Sequence, residues 1–147
     1  MERVNRKQNL LWIKLLLATA LFLCGCESPV RTYLIEENPP KFSFNDPERI
    51  SELVIFHIPK DREGDYGYGD AVINRKNVVW EIHGRLIPPY TSISYGSAPE
   101  GMIEKTPAVP LVEGGHYFVW CEQNGNGGCL GTSFMIKHGK AERLHGS

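Results

Sequence analysis

The sequence predicts an all-β fold, a single antiparallel β-sandwich standing behind a signal peptide and a proline-rich tether. Three observations predict it. Apolar residues fall in short runs rich in Val, Ile and Phe, at 52–58 (ELVIFHI), 78–83 (VVWEIH) and 132–138 (TSFMIKH), which is the length and composition of strands. Clusters of Gly, Pro and Asn separate these runs at short intervals, as turns do. No stretch after residue 25 repeats apolar residues at helical spacing over a useful length.

The chain opens with Arg3, Arg6, Lys7 and Lys14, then runs uncharged through residues 15–23 (LLLATALFL), the cationic end and apolar core of a secretory signal. That core is too short to span, since a transmembrane helix takes about 20 apolar residues. Cleavage is therefore expected over spanning. Leu23-Cys24-Gly25-Cys26 closes the segment and resembles the bacterial lipobox, whose invariant Cys becomes the first residue after the cut. The resemblance implies a thioether diacylglycerol on Cys26 and acylation of its amine. Several acyl chains together hold a protein durably, at about 0.8 kcal/mol per buried methylene. Glu27 and Ser28, where Asp is the usual signal for retention in the inner membrane, lean the expectation towards the outer membrane.

Removing residues 1–25 from 147 leaves 122, enough for one domain with a modest core. The signal takes four of the 16 basic and one of the 17 acidic residues, so 12 and 16 remain, a net charge of −4. Such a balance argues against a nucleic-acid surface, which needs clustered Lys and Arg. Of four cysteines, Cys24 leaves with the signal and Cys26 takes lipid. Cys121 and Cys129 are then expected to pair as a disulfide in an oxidising compartment. A loop that short contributes roughly 2.5 kcal/mol by the chain-entropy estimate.

Residues 26–47 hold Pro29, Pro39, Pro40 and Pro47 and read as a tether, with the domain spanning 48–147. A first edge strand at 41–44 (KFSF) would point Phe42 and Phe44 to one face. Residues 52–58 form a core strand that Pro59 stops. The run 61–70 (DREGDYGYGD) is loop, and its acidic residues lack the ligand ladder of a calcium-binding EF-hand. Tyr66 and Tyr68 between glycines are the candidate partner-binding residues, because Tyr on Gly-rich loops suits adaptable recognition.

Residues 71–73, the turn 74–77 and 78–83 read as strand, turn, strand. Val78, Trp80 and Ile82 share one face, and Val79 and Glu81 the other. Residues 91–95 (TSISY) alternate again, 96–101 (GSAPEG) turn, and Met102 and Ile103 start a short strand. The clearest strand is expected over 111–122 (LVEGGHYFVWCE). Residues 123–128 (QNGNGG) form a hairpin loop between the two cysteines, 132–138 the return strand, and 141–144 a last one, giving about seven. The Leu, the paired glycines and Tyr117 resemble the corner entering the penultimate strand of immunoglobulin-like and fibronectin type III-like domains, where a Tyr hydroxyl ties back to the backbone.

No Gly-x-Ser-x-Gly elbow, His-Glu-x-x-His or phosphate-binding Lys-Ser/Thr loop occurs after the signal. The five histidines are scattered, with no partner at metal-ligand spacing. No metal, cofactor or catalytic residue is therefore expected, although carboxylates paired across strands are beyond the reach of sequence spacing. With its anchor, Trp80 and the stretch 121–134 (CEQNGNGGCLGTSF), the chain resembles small enterobacterial lipoproteins of the YfjS and YafY kind. That resemblance implies a non-catalytic envelope lipoprotein facing the periplasm and associated with envelope stress and the Cpx response when in excess. It also implies a link to type VI secretion immunity lipoproteins, which neutralise a toxin in the periplasm. Three functional readings follow: binding of another envelope protein, a structural role in the envelope without a soluble partner, and, third, hydrolysis at a site the sequence motifs do not mark.

Overall fold

The computed structural model describes residues 30–35, 37–62, 75–85, 91–124, 127–129 and 131–144. Nine strands occur there: β1 (Thr32–Ile35), β2 (Lys41–Phe44), β3 (Ile50–Ile58), β4 (Val78–Gly84), β5 (Ser92–Ser94), β6 (Met102–Thr106), β7 (His116–Gln123), β8 (Thr132–Lys137) and β9 (Lys140–Arg143). Among the described residues the only helical pieces are three-residue 3₁₀ turns.

The strands form two sheets, one of three strands in the order β1-β2-β5 and one of six in the order β6-β4-β3-β7-β8-β9. Every pairing is antiparallel. One apolar core joins the sheets. Val30, Phe42, Phe44 and Ile93 come from the small sheet and its lead-in, and Leu53, Ile55, Trp80, Ile82, Tyr117, Val119, Phe134 and Ile136 from the large one. Phe134 stands at the centre, its ring 5.7 Å from Phe42 and 5.3 Å from Tyr117. The fully buried Trp80 keeps its indole N–H satisfied by donating to Glu104 Oε1 at 2.8 Å.

The all-β expectation and the disulfide between Cys121 and Cys129 are present, while three details differ. Residues 30–44 do not belong to a tether. They supply β1 and β2 and bury Val30, Thr32, Phe42 and Phe44, because Thr32 to Ile35 is itself a β-branched and apolar run able to pair with β2. The expected strand over 111–122 begins only at His116, since the preceding residues turn through Glu113 and Gly114, the latter at φ +72°. Finally, β3 and β4 slip register, with Ile55 opposite Trp80 but Phe56 opposite Val78. That bulge puts Val78 with the apolar residues of the opposite face and Val79 against the core, reversing the expected assignment. The expected strand at 71–73 lies outside the described residues.

The corner before β7 is built tightly. Tyr117 Oη accepts the Val112 N–H at 2.9 Å. A methyl group on Gly115 would stand 2.7 Å from that hydroxyl, so only glycine fits. Both Glu113 oxygens accept backbone N–H groups of the β8–β9 turn, from His138 at 2.6 Å and Gly139 at 3.0 Å. These hydrogen bonds hold the exposed Glu113 carboxyl below its usual range.

Candidate functional site

Along β3 both faces are buried, so the six-stranded sheet carries a second face away from the main core. It is divided. Val54, Phe56, Ile58, Phe118 and Trp120 form an apolar cluster with Val78, and beside it lies a polar one. Register places Glu52 opposite His83 on β4, and Glu81 opposite Val54, so the two glutamates and the histidine meet on that face. Their ligand-capable atoms lie within 4.8 Å of one another. The 3₁₀ turn Arg75–Asn77 packs on β3 and brings Arg75 into the group.

Glu52 and Glu81 are only 6% and 3% exposed, and buried carboxylates demand partners. Arg75 supplies them in a fork, with Nη1 donating to Glu81 Oε1 at 2.6 Å and Nη2 to Glu52 Oε1 at 3.0 Å. His83 Nε2 lies 2.7 Å from Glu81 Oε1 and 3.4 Å from Glu52 Oε1. Thr106 donates to Glu81 Oε2 at 3.0 Å, and Lys105 Nζ stands 3.3 Å from Oε1.

The two carboxyl groups are pushed apart. Burial raises Glu81, but hydrogen bonds from His83, Arg75 and Thr106 outweigh it and hold the group down at about 2. Glu52 stays raised, chiefly by burial and also by sharing a hydrogen bond with the Glu122 carboxyl, against the opposing pull of His83 and Arg75.

Such divergence is what acid–base pairs use, and two carboxylates with an imidazole are donors a zinc-like cation accepts. The chemistry of the partners decides between these uses and a structural one. The Arg75 guanidinium already stands in the position of a cation. Glu81, with about four lone-pair sites to offer, faces Arg75, His83, Lys105 and Thr106. A group so saturated has little capacity left to take a proton from a substrate or to ligate an ion. The cluster reads as a ligand-independent ion-pair network pinning the Arg75–Asn77 turn to the sheet. Sequence reasoning missed it because 52, 75, 81 and 83 meet only through the β3–β4 register.

Of the residues expected from sequence, Cys121 and Cys129 are joined, with Cα atoms 5.3 Å apart, and both are buried in the core. Thr32 Oγ1 lies 3.9 and 3.6 Å from their sulfurs, so the disulfide sits directly against β1. Cys26, Tyr66 and Tyr68 lie outside the described residues.

The two ends of the sheets differ. Thr32, Phe44, Ile50 and Gln123 gather at one end of the sheets, which we term proximal. Ile58 and His116 mark the other end of β3 and β7, about 26 Å away for a nine-residue strand. At this distal end the segment 107–112 crosses the sheets, tied by Val109 N–H to Val79 O and by the Tyr95 hydroxyl to Val109 O. Clefts of about 390 and 330 Å³ flank it. The first is lined by Pro39, Pro40, Tyr95, Leu111 and Ile136, the second by His57, Val78, Val79 and Tyr117, and Pro110 belongs to both. Val109 and Val112 are 47% and 55% exposed beside them.

The chain matches no protein-family model, no curated protein and no solved structure.

Proposed function

We propose that the chain is a non-catalytic, lipid-anchored lipoprotein of the cell envelope, facing the periplasm, that binds another envelope protein through the distal end of its β domain. One observation carries this reading: among the described residues, Val30 and the two clefts stand at opposite ends of the domain. Val30 is fully buried, only four residues beyond Cys26, so the lipid would hold the proximal end. Tyr66 and Tyr68 lie in sequence between Arg62, beyond the distal end of β3, and the turn Arg75–Asn77. The two clefts, with Val109 and Val112 beside them, stand at the distal end and offer a partner concave apolar surface.

The saturation of Glu81 by Arg75, His83, Lys105 and Thr106 favours binding over catalysis. The lipobox and the resemblance to small enterobacterial lipoproteins support an outer-membrane location and an association with envelope stress. The two sheets sharing one core, together with the Tyr117 hydroxyl tied back to Val112, support an immunoglobulin- or fibronectin-like sandwich, here with six strands in one sheet.

The test is metabolic labelling with palmitate followed by affinity capture from solubilised envelopes. Wild-type protein is expected to carry label and retain a partner, Cys26→Ala to lose the label, and Tyr66→Ala with Tyr68→Ala to lose the partner alone. An unlabelled wild type, or a partner kept by the double variant, overturns the corresponding half of the proposal.

A further inference from the structure

The second distal cleft, of about 330 Å³, is built differently from the first. A carboxylate, Glu113, lines the first. The polar groups of the second are the His57 imidazole, the Asn77 amide and the Tyr117 phenol, and four valines with Pro110 make the rest of its wall. Register explains the grouping. His57 stands opposite Tyr117 at the distal end of β3 and β7, two residues beyond the core residue Ile55 and so on the same face, and the two rings lie 5.4 Å apart. Asn77 closes the 3₁₀ turn that Arg75 fastens to Glu52 and Glu81, so the ion-pair network on the outer face also fixes where that amide stands.

These three side chains have hydrogen-bonding capacity to spare. Tyr117 is only 2% exposed. Its Oη accepts the Val112 N–H, but among the described residues nothing accepts the hydrogen of its own O–H. His57 and Asn77 are half-buried, and no described residue hydrogen-bonds to either side chain. A buried hydroxyl donor without an acceptor is costly, and this one stands beside Val112, itself part of the cleft wall.

Among the unspent groups donors outnumber acceptors, with a phenol O–H, an amide NH₂ and an imidazole N–H. The matching ligand group accepts only, as an ionised carboxylate does, and its charge strengthens each bond. A cationic ligand would find no carboxylate in the lining, and a sugar would leave hydroxyls against valine. Apolar walls with a few convergent polar groups are the usual make-up of a small-ligand site.

We infer that the second cleft is a binding site for a compact apolar carboxylate, its oxygens taken by Tyr117, Asn77 and His57 and its hydrocarbon part laid against the valines. The site needs neither the lipid anchor nor the protein partner proposed above. A free organic acid and the carboxyl terminus of a peptide ending in an apolar residue present this same chemistry.

The full chain, carrying isotope-labelled histidine and kept with phospholipid nanodiscs so that acylation of Cys26 does not alter the result, is titrated by NMR with phenylpropionate and, separately, with phenylpropionamide. The acid is expected to shift the His57 ring signals saturably and the amide to bind roughly tenfold more weakly. Tyr117→Phe, which keeps the ring, and Asn77→Ala, which removes an amide unbonded within the fold, should each weaken the acid several-fold and leave the other histidine signals in place. The tripeptide Gly-Gly-Phe with a free terminus separates the sources: binding tighter than the acid assigns a peptide terminus, weaker binding a free acid. Equal affinity for acid and amide, no shift at His57 with either free carboxylate, or an affinity unchanged in both variants overturns the site. Partner capture through Tyr66 and Tyr68 is read separately, so the two proposals fail independently.

Discussion

The two faces of the six-stranded sheet come from the same strands and are both buried, yet they are held by different physics. The inner face, with Leu53, Ile55, Trp80, Ile82 and Phe134, meets the small sheet chiefly through apolar contact. The outer face places Glu52 and Glu81 beside Val54 and Phe56 and keeps the carboxylates there only through Arg75, His83, Lys105 and Thr106. Area removed from water stabilises the first face whatever the pH. On the second, each buried charge is stable only while its partners remain. A strand covered on both sides can therefore be robust on one and conditional on the other.

The largest expected effect lies on the inner face. Trp80→Ala removes the biggest fully buried side chain, orphans the Glu104 contact and costs about 3–5 kcal/mol. Urea unfolding should show the same loss at pH 5 and pH 8. A strongly pH-dependent loss would mean that the faces are coupled through β4.

Next in size is the outer face. The Glu81 carboxyl is depressed from the ordinary 4.5 to about 2, so its contribution is full above 4.5 and is lost as pH falls towards 2. Glu81→Gln should lower stability at pH 7 by about 2–3 kcal/mol and flatten that acid limb. Glu52 acts with the opposite sign. Its raised carboxyl stabilises most below 4.5, and that contribution drains as pH rises through its folded value, so Glu52→Gln should remove a decline on the rising side. An unchanged pH profile in both variants would deny the outer face its conditional character.

Smaller again is Arg75→Met. Half of that side chain is exposed, and solvent screening reduces the expected loss to about 1 kcal/mol. Its sharper readout is faster amide exchange in the turn Arg75–Asn77, with β3 unaffected. Least of all, Tyr117→Phe deletes one hydrogen bond at the rim of the inner face, worth about 1 kcal/mol. A measured change above about 3 kcal/mol would show the corner to organise more than Val112.

The inner face was legible in the sequence and the outer face was not. The β-branched and aromatic runs at 52–58, 78–83 and 132–138 announce strands by their own composition, the alternation at Phe42 and Phe44 marks a buried side, and the cysteine count gives the disulfide. Charged outer-face positions have no local signature. Glu52 looks like a solvent-side residue until β4 is placed beside it, and the bulge at Ile55–Phe56 shifts Val78 and Val79 across the sheet in a way that strict alternation cannot anticipate. The strand β1 was obscured by Pro29, Pro39 and Pro40, which suggest a linker. The four residues Thr32 to Ile35 carried the strand signal nonetheless.

The first strand of the domain rests partly on the last two, since β1 contacts β8 and β9 as well as its neighbour β2. β1 stands early in the sequence but finds its seat only against residues beyond 130. Pairings of such long sequence separation form slowly. The strand that stands first among the described residues is thus among the last to be secured.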